Sequence, residues 1–457
     1  MSCKIKSAFS VVLVLIMALM FACGSDDADT YDDDDDNSDG DEQSDGDSDT
    51  ELAVIDGDLE PELEAELEVE IVFDQDEYSV FELLPDEPST QIHASLASDG
   101  EGIWLVYNIP DANKTFDVYA ARLKADASGE YLVEPFKVNT TDFNEIDPDV
   151  AVSGDKVLFV WQSDNSGSAR NLDVFYRVYG TDGSELMDSD RHMDLKRDGQ
   201  LGDFNAWMAQ ASAQSDGGFA VIGSWAPDDV SAWQAFVQKI DSEGELAGDV
   251  IESSFQPDTS QVYADIAGTV SGGLHLAWAR NSVELDDRVA YTFLEQDAIE
   301  GDPNPAGDAI EGMDGSGSAL IADLQDESRS YLAFNTAISS SSNIMLFNIA
   351  DEDSPQLRLG SLGKVNHTPA LSLGVSGGGV AWYQVHSGIK NNVFAQGFVE
   401  GENGVTGNGV SVQVNDESGY GAPYALANTH VAEDYYLVVW SQGISPDFKL
   451  FGRFVKL

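Results

Sequence analysis

PDVAVSGDKVLFVWQSDNSG, residues 148–167, is followed by DVFYRVYGTDGSEL at 173–186. Short runs of Val, Leu, Phe, Tyr and Trp alternate with Gly-Asp and Asp-Gly turns. The order reads as strand, tight turn, strand ending in Trp161, polar loop, third strand and turn. The same unit closes the chain as PYALANTHVAEDYYLVVWSQG from Pro423, then KLFGRFVKL. It returns at Pro369 as PALSLGVSGGGVAWYQVHSG with NNVFAQGFVEGENG, and at Ala206 as AWMAQASAQSDGGFAVIGSWAPDD with WQAFVQKIDSEGEL. Looser copies are GGLHLAWARN with RVAYTFLEQ, RSYLAFNTA with NIMLFNI, and EGIWLVYNIP with FDVYAARLKADASGE.

The aromatic that ends each second strand sets the register: Tyr107, Trp161, Trp225, Trp278, Phe334, Trp382 and Trp440, spaced by 54, 64, 53, 56, 48 and 58 residues. Seven units of about 50 residues with three visible strands predict an all-β fold, a seven-bladed β-propeller over residues 71–457. A recurring Val-Asn (Val138-Asn139, Val365-Asn366, Val414-Asn415) is read as the mark of a fourth strand. The last unit lacks one, and the run Tyr78–Leu84, YSVFELL, precedes the first unit without a blade of its own. It is expected to close blade seven and remove two exposed sheet edges. The competing architecture is two packed β domains. The column aromatics are read as core between blades.

These repeats resemble a bacterial pattern of Pro-x-Val-Ala, Asp-Gly, Val-Val-Trp, Ala-Gln-Arg-Phe, Asp-x-x-Gly and Val-Asn. Arrays of that kind occur in secreted and lipid-anchored bacterial proteins and resemble β-propellers. The likeness implies a scaffold and no single activity.

The first 23 residues are of another kind. Lys4 and Lys6 precede the apolar run AFSVVLVLIMALMFA, residues 8–22, and Cys23 follows. Fifteen residues are too few for a permanent membrane span, and the flanks read as a secretory signal over residues 1–22. An uncleaved anchor helix is the alternative. Met20-Phe21-Ala22-Cys23 resembles a bacterial lipobox, which implies diacylation of Cys23 after cleavage. Gly24 in place of Asp implies, by the same resemblance, the outer membrane, with the cell surface as one face. The mature chain would then hold no free thiol, since Cys3 leaves with the signal.

Residues 23–70 form an acidic linker, with 23 Asp+Glu and no Lys or Arg between Gly24 and Glu70. Such a chain buries too little apolar surface to fold and reads as a disordered spacer, averaging roughly 40 Å. Asp35-x-Asn37-x-Asp39-Gly40 starts like an EF-hand loop, but Gly46 stands where the bidentate Glu belongs. Weak, nonspecific Ca²⁺ binding is all this implies, and no cofactor is expected.

The whole chain has 457 residues, 22 Lys+Arg, 83 Asp+Glu and a formal charge of −61. That balance excludes direct nucleic-acid binding through phosphates. The sequence lacks a His-Glu-x-x-His, a Gly-x-Ser-x-Gly elbow, a phosphate loop and a Cys-based metal site, so no catalytic residue and no metal site is assigned. Two aromatics outside the column, Trp207 and Trp233, are candidates for stacking on a ligand, and His386 is a weaker one. Two functions remain open. One is a non-catalytic interaction module tethered to the envelope, with a protein or glycan ligand. The other is a glycan-cleaving hydrolase or lyase, whose sign would be an Asp/Glu pair with Tyr or His on one mouth of the ring.

Overall fold

Each repeat folds into a four-stranded antiparallel sheet, and the seven sheets form a β-propeller. The computed structural model describes residues 79–457 apart from loop segments, the longest being 165–171, 227–232, 253–259, 282–287, 297–307 and 421–425. Cys23, the linker 23–70 and Tyr78 lie outside the described residues. No described helix is long and apolar enough to cross a membrane.

From the inside outward, blade 1 consists of Ile92–Ser98, Gly102–Pro110, Phe116–Lys124 and Tyr131–Lys137. Blade 2 is Glu145–Ser153, Lys156–Ser163, Asp173–Gly180 and Arg191–His192; blade 3 is Asn205–Ala213, Phe219–Ala226, Gln234–Ile240 and Leu246–Glu252. Blade 4 begins with Ser260–Gly268, Leu274–Asn281 and Arg288–Leu294. Its outer strand is the first half of the long strand Asp308–Ala322, whose second half is the inner strand of blade 5. Blade 5 continues with Ser330–Thr336, Ile344–Asn348 and Leu357–Leu359. Blade 6 is Asn366–Leu373, Gly377–Ser387, Lys390–Gly401 and Gly404–Gln413. Blade 7 is Leu426–Ala432, Tyr435–Ile444 and Asp447–Lys456, completed by Phe81–Glu82 from the other end of the chain. Each inner strand packs against the next, and that of blade 7 against that of blade 1, so the ring is closed.

Closure follows the sequence expectation. Phe81 pairs with Gly452 and Glu82 with Phe451, and the Leu83 N–H donates to the Leu450 carbonyl at 3.0 Å. The regular strand is shorter than the expected run. Leu83 and Leu84 nonetheless bury their side chains in the seam between blades 7 and 1.

The column aromatics are core. All seven are at most 1% exposed, and each packs toward the preceding blade. Tyr107 shares a core cluster with Leu437 and Val439 of blade 7, Trp161 with Trp104 and Val106 of blade 1, and Trp225 with Leu158 and Val160 of blade 2. Trp278, Phe334, Trp382 and Trp440 repeat this against blades 3, 4, 5 and 6. Burying one such ring stabilises by about 2–3 kcal/mol, so the period in the sequence is a period of inter-blade packing.

The Val-Asn pair is a clasp rather than the fourth strand itself. In blades 1 and 6 the outer strand ends at Lys137 and Gln413, just before the pair. The N–H groups of Val138 and Val414 donate to the carbonyls of Val118 and Val393 at 2.8 and 2.7 Å. The Oδ1 atoms of Asn139 and Asn415 accept the N–H groups of the same two residues, both at 2.8 Å. Arginines of the next blade then reach the Val carbonyls: Arg177 to Val138 at 2.7 Å and Arg453 to Val414 at 2.9 Å. Val365-Asn366 differs, because Asn366 opens the inner strand of blade 6 and its Oδ1 accepts the Trp382 indole N–H at 3.1 Å. Replacing Asn139 by Ala leaves the Val118 N–H buried and unpaired. A loss of about 1–3 kcal/mol is expected in urea unfolding, with an unchanged m-value.

Candidate functional site: the channel mouth

The inner strands begin at the end of the ring where the loops between second and third strands also lie. Six of the seven carry a β-bulge there, at which two residues oppose one on the second strand. In five of them the residue in the bulge has a left-handed backbone: His93 (φ 55°), Asp147 (49°), Met208 (50°), Tyr263 (53°) and Thr368 (52°). A side chain with a Cβ pays roughly 1–2 kcal/mol in that region, where Gly or Asn is the undemanding choice. The fold repeats the bulge, yet none of these five positions holds Gly or Asn. They place an imidazole, a carboxylate, a thioether, a phenol and a hydroxyl-bearing residue around one rim.

Between blades 1 and 2 the rim is knit by polar contacts. His93 Nδ1 meets the Asp147 carboxylate, each side chain being under 20% exposed. Gln162 Nε2 donates to the other oxygen of Asp147 at 2.5 Å. In blade 6, His367 lies against the Tyr383 ring at 5.7 Å, and its Nδ1 faces the Thr368 hydroxyl at 3.0 Å. Burial pulls its pKa down to about 4, so this imidazole is neutral at physiological pH.

Two residues beyond the bulge, Asp149 and Asp265 do a different job. Asp149 accepts the Ala211 N–H of blade 3 at 2.7 Å and the Ser95 hydroxyl of blade 1 at 2.5 Å. Asp265 accepts the Leu320 N–H of blade 5 at 2.6 Å. Each carboxyl ties its inner strand to the next. Burial raises the pKa of both, Asp265 to about 7, and for Asp265 the nearby Asp149 adds to the effect.

Of the aromatics singled out from the sequence, Trp207 falls on this rim by register. Its backbone pairs with Ser224, immediately before Met208, while its side chain lies outside the described residues. Trp233 lies at the same end of the ring, half-buried just before the third strand of blade 3 and against the start of the inner strand of blade 4. Its N–H donates to Ser260 Oγ at 3.3 Å and its carbonyl accepts the Gln261 N–H at 2.7 Å. His386 is exposed near the end of the second strand of blade 6. All three thus lie toward the same end of the ring, Trp207 and Trp233 on blade 3 and His386 on blade 6. The residues that the sequence reading passed over, His93, Asp147 and Thr368, lie 14 positions before Tyr107, Trp161 and Trp382. Tyr263 and Met208 lie 15 and 17 positions before Trp278 and Trp225, so a near-constant offset was the available signal. Among the described residues no group of three or more His, Cys, Asp or Glu is placed to hold a metal ion.

No protein-family model matches the chain, and no curated protein matches it in sequence. Similar solved structures exist. A protein of unknown function from Dyadobacter fermentans is 11% identical over 83% of this chain and 98% of that one, with a TM-score of 0.49. An α-L-arabinofuranosidase from Fusarium graminearum is 10% identical over 80% and 93%, with a TM-score of 0.48. The sialidase of Trypanosoma rangeli is 10% identical over 71% of this chain and 55% of its own length, with a TM-score of 0.41. At such identities the likeness concerns the fold, which here rests on the strand pairings themselves.

Proposed function

We propose that the protein is a cell-envelope lipoprotein, anchored in the outer membrane through Cys23 and displaying the propeller as a non-catalytic binding module. The observation that supports binding at the mouth is the ring of five non-Gly residues held at left-handed φ. Strain retained where Gly or Asn would relieve it points to side chains needed for contact. Residues 71–457 hold 60 Asp+Glu against 20 Lys+Arg, which disfavours polyanions. Neutral glycans suit a rim of hydroxyl, phenol, imidazole and carboxylate groups, and a protein segment is the other partner class.

Tyr263→Gly and Thr368→Gly test this reading. Each is expected to leave unfolding stability unchanged or raise it by up to about 1 kcal/mol, and to weaken binding at least tenfold to any glycan found in an array screen. Retained affinity together with the gain in stability would place the ligand elsewhere.

One observation favours a glycan-cleaving reading: Asp147 and His93 are in contact, and Tyr263 shares their rim. Two further carboxyls near the mouth, Asp149 and Asp265, are committed to backbone N–H groups. A turnover assay on each glycan that binds separates the two functions. Anchoring has its own test. Cys23→Ala is expected to abolish fatty-acid labelling and to release the protein from the membrane fraction.

A further inference from the structure

Behind the rim, in the seam between blades 1 and 2, four polar groups form a chain. Glu145, the first residue of blade 2, is 0% exposed. Its Oε2 accepts the Trp161 indole N–H at 2.8 Å, and its Oε1 lies 2.5 Å from Thr141 Oγ1. Thr141 Oγ1 is also 3.1 Å from Asp190 Oδ2. The Asp190 carboxylate, 1% exposed, accepts the N–H groups of Thr140 and Thr141 at 2.9 and 3.1 Å and faces Arg177 Nε at 3.9 Å. The Thr141 hydroxyl has one hydrogen and two carboxyl neighbours. With both ionised, one of those close oxygen pairs has no proton between it, in a buried place where repulsion is poorly screened. Asp190 has two N–H donors and a guanidinium, so it is the one suited to carry charge. With a proton on Glu145 every partner is served: Glu145 donates to Thr141, and Thr141 donates to Asp190.

We infer that this seam stores one exchangeable proton on Glu145, relayed by Thr141 to Asp190, and that its release loosens blade 1 from blade 2 directly behind the channel mouth. The charged groups around the seam include Asp117 and Lys137 of blade 1, paired with each other at 2.8 Å, Asp142 of the connecting loop beside Lys137, and Arg177, Glu185 and Asp190 of blade 2. Two residues further along the strand lies Asp147 with its His93 contact. Burial, with a further contribution from Asp190, lifts the Glu145 pKa to about 7 against the lowering effect of its hydrogen bonds to Thr141, Ser163 and Trp161. The release would therefore fall within the range of ordinary environmental pH.

The experiment is carboxyl-carbon NMR of the full chain with labelled Glu. One Glu resonance is expected to titrate near neutrality and to be missing from Glu145→Gln. In Asp190→Asn its midpoint should fall by a unit or more, a tenfold loss of proton affinity. Thr141→Ser keeps the hydroxyl and should leave the midpoint in place. Amide exchange at Thr140 and Thr141, corrected for intrinsic rates, should rise at least tenfold between pH 6 and 8 in the wild type and stay level in Glu145→Gln. A Glu145 resonance that titrates with the other glutamates in the acid range would overturn the stored proton. An unmoved midpoint in a folded Asp190→Asn protein would overturn the relay. Exchange that does not depend on pH would overturn the loosening. If Asp190→Asn does not fold, the comparison of wild type with Glu145→Gln decides.

Discussion

A protein that begins at residue 85 is expected to aggregate or unfold, whereas one that begins at residue 71 melts like the full chain. The difference lies in how residues 81–84 are used. Phe81 and Glu82 supply the outer strand of blade 7, and Phe81 stacks on Phe454 at a centroid distance of 5.7 Å. Leu83 and Leu84 are 4% and 5% exposed in the cluster that joins blade 7 to blade 1. The Tyr131 hydroxyl of blade 1 donates to the Leu83 carbonyl at 2.5 Å. Losing two buried leucines alone costs about 4–10 kcal/mol, comparable with the whole stability of a typical domain. The bared edge of Asp447–Lys456 then becomes a template for another chain. Point changes give a graded version. Leu83→Ala with Leu84→Ala should lower the urea midpoint sharply. Gly452→Ala should act from the other side, since a Cβ there would lie 2.9 Å from the Phe81 ring. Equal melting of the proteins beginning at residues 71 and 85 would show that closure contributes little.

The architecture was legible because its energy repeats. Burial of one large aromatic against the preceding blade recurs seven times, so Trp161 and its counterparts mark the blades even where the turns diverge. Phe334 keeps its place in the column without being Trp, since the seam asks for volume rather than for an indole. The Val-Asn clasp was visible as a signature but not as a mechanism. Its meaning lies in which N–H the Asn side chain meets, and that partner is about 20 residues away in sequence. The rim was the least legible part. Trp207 stood out because Trp is rare, whereas His93, Asp147, Met208, Tyr263 and Thr368 share no side-chain chemistry. What unites them is a backbone angle, and residue type reveals that angle only when the residue is Gly or Asn.

The contribution of Asp265 to stability is expected to fall as pH rises from about 4 to 7, against the opposite trend of His275 and His367, whose pKa burial lowers to about 4. Burial and the neighbouring Asp149 hold the Asp265 pKa near 7 in the folded chain, against about 4 when unfolded. The folded state then binds a proton that the unfolded chain has already lost. The resulting stabilisation is full below about pH 4 and is lost progressively as the pH passes through 7, an effect on the order of 4 kcal/mol for such a shift. Asp149 and Glu145, both raised, act with the same sign. Asp265→Asn removes the titration but keeps only one oxygen for the two N–H groups that the carboxyl accepts, Leu320 at 2.6 Å and Ile266 at 2.8 Å. At pH 8 the variant should therefore be more stable than the wild type by about 1–3 kcal/mol, and at pH 5, where the wild type has lost only about 1 kcal/mol, the unpaired N–H should leave it equal or weaker. Urea unfolding at the two pH values reads this directly. A variant that is weaker at both would mean that the ionised carboxylate, and not the neutral acid, is the form that ties blade 4 to blade 5.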